Sequence, residues 1–165
     1  MIDSNFIIWG SPVYTMQVSG QMKNFLDRLA SWYHLLKLAG KSGMTVSTTA
    51  GNGLEEVQDY LGMMLCATGT KVVASLETYG MFPKTLRDQE KARKEAHKTA
   101  EKVYSYITRE KQIETDEYLE QCFQISKIKV TKGAEWLPGD YKYWEENEML
   151  ELSSFNELLK KLNHK

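Results

Sequence analysis

The sequence predicts an α/β domain built on parallel strands, and three observations predict it. Short apolar runs alternate with amphipathic stretches of helical period, and each run ends in a cluster of glycine, proline or hydroxyl residues. The connections at the opposite ends of the runs are plain. Strand and helix alternate three times, the order that right-handed crossovers turn into a parallel sheet with helices on its faces.

The first run, NFIIWG at residues 5–10, is continuously apolar and closed by glycine, which suits a strand buried on both faces. Val18, Met22, Phe25, Leu29, Trp32 and Leu36 then recur at intervals of three and four. They predict one helix over residues 19–38, ended by Gly40 and Gly43. A second strand is predicted at residues 44–48, running into a small-residue loop at 49–53. Leu54, Val57, Leu61 and Leu65 mark the second helix, which stops near Gly69. KVVASLETYG is the third strand. Residues 85–110 read as a charged helix with Ala96, Ala100, Val103 and Ile107 as its buried stripe and its charges as a solvated face.

Residues 1–111 therefore form the sheet domain, and residues 112–165 a helical extension of different texture. The extension offers an amphipathic segment around Leu119, Phe123 and Ile125, a Pro138-Gly139 turn with Asp140 as a helix cap, and a short helix carrying Leu158, Leu159 and Leu162. Trp136, Tyr141, Tyr143 and Trp144 read as packing the extension onto the sheet domain or a neighbouring subunit, with ligand stacking as the alternative.

At 165 residues the chain is long enough for a sizeable core. Its net charge of −1 gives no electrostatic footprint for nucleic acid or an anionic membrane. No apolar run approaches the ~20 residues of a membrane span. No leader is legible at the N-terminus, and the cytoplasm is the expected compartment. The two cysteines, Cys66 and Cys122, have no CxxC spacing, so this chain alone cannot build a structural zinc site or a cysteine-ligated cluster. Cys66 reads as a small buried hydrophobe. His34, His97 and His164 are scattered, with no serine or cysteine at a strand end beside them. Nucleophilic catalysis has no support, and in an enzyme of this kind a cofactor supplies the reactive atom.

In such sheets the ligand crevice lies at the carboxyl ends of the strands, here the loops at residues 10–17, 48–53 and 78–83. In Gly10-Ser11-Pro12-Val13-Tyr14, glycine admits a ligand close to the backbone, proline stiffens the turn, and Tyr14 presents a flat face or a hydroxyl. That loop suits a planar heterocycle. STTAGNG adds hydroxyls and amides before a helix N-terminus, a place that favours anions or polar ligand edges.

The run Gly-Ser-Pro-x-Tyr followed by Ser-Gly-x-x-Lys-x-Phe-x-Asp-Arg, within a match over residues 3–80, resembles the second half of the flavodoxin-like NADPH-dependent FMN reductase family. That family includes multimeric flavodoxins and iron–sulfur flavoproteins. The resemblance implies that Ser11, Pro12, Val13 and Tyr14 contact the isoalloxazine ring of FMN and that Thr48, Thr49, Ala50, Gly51 and Asn52 cover another edge. It implies hydride transfer from NAD(P)H to FMN and on to a small-molecule acceptor, in a homo-oligomer such as a dimer. STTAGNG departs from the Thr-Gly-Asn-Thr core of the flavodoxin phosphate loop.

The family's fold opens with two further strands and a phosphate loop that this sequence does not contain. Three expectations follow: a fragment of a longer FMN oxidoreductase, a chain that completes its sheet with another chain and still uses flavin, or a non-catalytic oligomerisation or partner-binding protein. In this chain taken alone, the strand at Phe6–Trp9 would be an exposed apolar edge.

Overall fold

The first apolar run does form a strand, but it continues past the glycine. The computed structural model describes residues 1–163, the side chain of Met81 excepted. Strand β1 (Phe6–Tyr14) passes straight through Ser11-Pro12 and folds back as the two-residue β2 (Gln17–Val18). Residues 10–14, expected as loop, are therefore strand. Tyr14 pairs with Gln17 across Thr15 and Met16, whose φ values of 51° and 67° make a two-residue turn with both central residues left-handed. Such turns match the twist of the strands they join. Neither residue is the Asn or Gly that usually announces one, so the sequence concealed it.

The expected helix over residues 19–38 is two. Ser19 caps α1 (Gly20–Arg28), its Oγ accepting from the Met22 amide at 3.2 Å. The chain breaks at Leu29 and resumes as α2 (Ala30–Leu35), which ends at Leu36 with φ 46°. The break has a packing reason. α1 lies on the sheet with Leu26 and Leu29, whereas Leu36, just past α2, joins a different core.

β3 (Ser42–Thr49) follows, then α3 (Leu54–Ala67) and β4 (Lys71–Phe82). β4 turns back as β5 (Thr85–Leu86) before Asp88 caps α4 (Gln89–Ile107). The charged helix thus starts later than its composition suggests, because Thr85 and Leu86 pair with β4. Its inner stripe also differs: Val103 is buried, but Ala100 and Ile107 are exposed.

The sheet order is β2-β1-β3-β4-β5, with β1, β3 and β4 parallel and the short strands antiparallel returns at either side. Register assigns the faces. Trp9, Thr45 and Ser75 are mutual neighbours across the three strands, as are Ile8, Met44 and Ala74. The Trp9 face is covered by α1 and α3, with Ile7, Trp9, Val57, Leu61 and Leu65 in one core. α4 packs on β4 from the other side. It does not reach β1, where Ile8 is 59% exposed.

The C-terminal segment forms α5 (Glu117–Lys132), α6 (Pro138–Glu146) and α7 (Phe155–Asn163). α5 packs on α2 and α3, α6 on α2 and α7 on α5, around Leu36, Leu119, Phe123, Val130, Trp144 and Phe155, with Val72 of β4 bordering the same core. Trp144 is wholly buried, donates from Nε1 to the His34 carbonyl at 2.8 Å, and packs on Phe123. Trp136 and Ile125 instead face outward, and Leu162 lies against Gly40, partly exposed. Ile125 lies off the Leu119–Phe123–Val130 stripe, which is set by the i, i+4, i+7 rhythm. Asp140 does not cap α6, which starts on Pro138; its carboxylate meets His34 Nδ1 at 3.1 Å. His34 Nε2 lies 2.7 Å from Lys129 Nζ, so His34 joins α2, α5 and α6. His97 pairs with Glu101 one turn along α4, and His164 lies outside the described residues.

Candidate functional site

The carboxyl ends of β1 and β3 bring the two singled-out loops together. Pro12 lies beside Thr48 in register, and Thr48 beside Thr78. Beyond them the β1–β2 turn and the 49–53 loop lock against each other at Gly53. Gly53 has φ +85°, and a Cβ there would stand 2.7 Å from Val13 Cγ1 and 2.8 Å from Met16 Cα. Only glycine admits both the left-handed backbone and that approach.

Each site residue has a definite place. Ser11 is buried; its Oγ accepts from the Ser19 amide at 2.9 Å and donates to the Pro12 carbonyl at 2.8 Å. That hydroxyl ties β1 to the start of α1. Pro12 and Val13 are half-buried and Tyr14 is 63% exposed. Thr48 is half-buried. Thr49 is buried, and its Oγ1 accepts from the Gly51 amide at 3.1 Å and donates to the Asn52 carbonyl at 2.9 Å. This side-chain turn presents Ala50, Gly51 and Asn52 to solvent. Pro12, Val13, Tyr14, Thr48 and Ala50–Asn52 thus share one accessible rim, while Ser11 and Thr49 brace it from below.

Four residues around that rim were not named as site residues from the sequence, although three of them lie within the expected loops 10–17 and 78–83. Met16, Tyr79, Phe82 and Leu86 are all exposed large apolar groups, and Tyr79 is the register neighbour of Thr49. The strand alternation of β4 could have flagged Tyr79, but the β4–β5 hairpin that carries Phe82 and Leu86 has no Asn-Gly signal.

Charge is as informative as shape. No charged residue occurs between Asp3 and Lys23 or between Lys41 and Glu55, so neither loop brings a cation to the rim. The first turn of α3 carries Glu55 and Glu56, which already answer the positive end of that helix.

Residues 1–81 match the model of the NADPH-dependent FMN reductase family. An iron–sulfur flavoprotein of Archaeoglobus fulgidus is 33% identical over 147 residues, a match covering 87% of this chain. The first half of the chain is thus similar to the NADPH-dependent FMN reductase family. It spans 65% of the length of that archaeal relative. A flavodoxin, WrbA-like protein from Agrobacterium tumefaciens superposes with a TM-score of 0.52 at 16% identity, covering 64% of this chain and 68% of the other. That likeness establishes a flavodoxin-like fold. No helix among the described residues is long and apolar enough to cross a membrane. Among the same residues, no group of three or more histidine, cysteine or acidic side chains is placed to hold a metal.

The rim fits one half of FMN. Exposed Tyr14, an open glycine at Gly51 and the amide of Asn52 suit a neutral, planar, hydrogen-bonding ring system. A dianionic phosphate needs several charged or amide donors aimed at one point. The loops contain no such cation, and α3 begins with two carboxylates.

Proposed function

We propose that this chain takes part in FMN-dependent electron transfer from NAD(P)H to a small-molecule acceptor. One observation carries the reading: the uncharged loops that end β1 and β3 are locked into a single rim at Gly53. The chemistry that FMN supplies when bound is acceptance of a hydride and release of its electrons singly or in pairs.

The chain's own residues act by binding and orientation. Pro12, Val13 and Tyr14 form one wall for the ring, and Thr48, Ala50, Gly51 and Asn52 form the hydrogen-bonding edge. Ser11 and Thr49 are positioning residues, since their hydroxyls are engaged in holding the backbone. Met16, Tyr79 and Phe82 keep the surroundings apolar, which favours a flat uncharged acceptor. The relative's name includes an iron–sulfur cluster, but the two cysteines here fall short of the four thiolates that such clusters take.

Titration of the purified protein into FMN, followed by flavin fluorescence and NAD(P)H absorbance, tests the reading. Saturable quenching with acceptor-dependent NAD(P)H oxidation is the expected result. No quenching and no oxidation at saturating flavin would remove it.

A second reading rests on a separate observation. The edge of β1 is uncharged from Phe6 to Tyr14, and Ile8 stands bare on its face. Parallel strands are normally covered on both faces, and uncharged open edges recruit further strands. A homodimer joined along β1 would close this edge. Light scattering then gives twice the chain mass for the native protein and a monomer for Ile8→Lys; a native monomer refutes it.

A further inference from the structure

Away from the rim, three helices bring a lysine, a histidine and an aspartate into one line. The His34 ring near the end of α2 has Nδ1 at 3.1 Å from Asp140 Oδ2 on α6 and Nε2 at 2.7 Å from Lys129 Nζ on α5. In the chain His34 stands 106 residues from Asp140 and 95 from Lys129, so no sequence motif announces the cluster.

The partners fix the tautomer. A carboxylate only accepts, so Nδ1 carries the ring hydrogen. An ammonium only donates, so Nε2 turns its lone pair to Lys129. The ring is held as well as oriented. The side chains of His34 and Asp140 are only 26% and 17% exposed. Trp144 Nε1 donates to the His34 carbonyl at 2.8 Å, and Ser126 Oγ donates to the neighbouring Tyr33 carbonyl at 3.3 Å. Lys129, by contrast, is exposed. A reachable nucleophile, a base within hydrogen-bond distance and a third group that orients the base are the parts of a catalytic triad, with lysine in the place of serine.

We propose that Lys129 is a self-acylating site that takes acyl groups from thioesters. His34 is its base and Asp140 is the positioning residue. The lysine attacks as the neutral amine, having lost one proton to solvent. As Nζ bonds to the thioester carbonyl carbon, a second proton passes from Nζ to His34 Nε2. The C–S bond then breaks, the sulfur leaves with the electron pair as a thiolate, and His34 returns its proton through solvent to that thiolate. An ammonium and a thioester thus become an amide, a thiol and one proton. The relay supplies a base, so the leaving group departs unaided, which a thiolate with a conjugate acid near 8.5 does far more readily than an alkoxide. Ile125, four residues before Lys129 on the neighbouring turn, is 65% exposed and offers an apolar acyl chain a surface to lie on. The site shares no residue with the rim and stands or falls apart from the flavin reading.

The test is incubation of the full chain with the butyryl thioester of N-acetylcysteamine at about pH 8, followed by peptide mass spectrometry over time. Lys132, exposed on the same helix, is the internal reference. Lys129 should be butyrylated at least about tenfold faster than Lys132, the low end below what a positioned base contributes. In urea above the unfolding midpoint the two rates should converge. His34→Gln, which keeps the shape and loses the base, should bring Lys129 down to the rate of Lys132 and leave Lys132 unchanged. Asp140→Asn should lower the Lys129 rate and Asp140→Glu should restore part of it, a rescue that packing alone does not give. Should His34→Gln fail to fold, the Asp140 pair and the urea comparison carry the test. A native Lys129 no faster than Lys132, an advantage that survives in urea, or an advantage undiminished in His34→Gln or Asp140→Asn overturns the proposal.

Discussion

Replacing Gly53 by alanine should separate the two halves of the rim, and the structure sets the size of the effect. Alanine in the left-handed region costs about 1–2 kcal/mol. The new methyl would stand 2.7 Å from Val13 Cγ1 and 2.8 Å from Met16 Cα. The valine methyl has some freedom to rotate away, but the Met16 backbone must move, and overpacking of this kind costs about 1–3 kcal/mol. Alanine also narrows the unfolded ensemble, which returns roughly 0.4–1 kcal/mol. The net loss is about 1–4.5 kcal/mol, which for a chain of this size lowers the melting temperature by roughly 2–18 °C.

Gly51→Ala is the control, since its Cβ points into open space at an ordinary φ, and its effect should stay within about 0.5 kcal/mol. Urea unfolding of both variants measures the difference, and amide shifts of residues 13–17 report whether the β1–β2 turn moves. A Gly53→Ala protein as stable as Gly51→Ala, with those amides unmoved, would refute the claim that Gly53 holds the rim together.

The remaining predictions concern the rim, the acid limit and the thiols. Tyr14→Ala should weaken flavin binding by roughly tenfold while leaving the unfolding midpoint unchanged, since the side chain is mostly exposed; parallel quenching and urea curves check this. Asp116 caps α5 by accepting from the Leu119 amide at 2.9 Å and pairs with Lys71. Partial burial is the largest single influence and opposes its ionisation, but the hydrogen bond and charge of Lys71 together with the Leu119 and Tyr118 amides outweigh it and hold its carboxyl below the usual value. A depressed folded value means stability present above the unfolded carboxylate range near 4, and lost as pH falls through the folded value. Asp116→Asn should therefore unfold with a flatter pH dependence below about pH 4, read from urea midpoints across pH 2–6. Burial pushes the Cys66 thiol up to about 11, so iodoacetamide at pH 8 should modify it at a rate that rises only with denaturant, by mass spectrometry.

How far the sequence reached can be judged element by element. The three parallel strands and α3 were legible because a period of two or of 3.6 is forced by burial on known faces. Leu54, Val57, Leu61 and Leu65 are all buried where the stripe puts them. The break at Leu29 was not legible. Periodicity continues through it, and only the packing of α2 against α5 and α6 requires the chain to turn.

The hairpin after Tyr14 was hidden for a different reason. Its turn uses Thr15 and Met16 at positive φ, residues that carry no turn signal, held there by Gly53 on a distant loop. The same tertiary cause separates Ser11 from the other rim residues. Proximity in sequence put its hydroxyl on the list, and the bond from the Ser19 amide turned it inward. Ala100, Ile107 and Ile125 failed as core positions because α4 covers only β4 and α5 buries a narrower stripe than its composition allows.

The central claim is that the rim formed by residues 12–14 and 48–52 recognises the flavin ring and not its phosphate. Dissociation constants for riboflavin and for FMN, measured side by side by fluorescence quenching on the same protein, test it most directly. The account predicts saturable binding of both with affinities within about tenfold, because the two loops offer ring contacts and no cation. Binding of FMN a thousandfold tighter than riboflavin, or binding of neither, would contradict it.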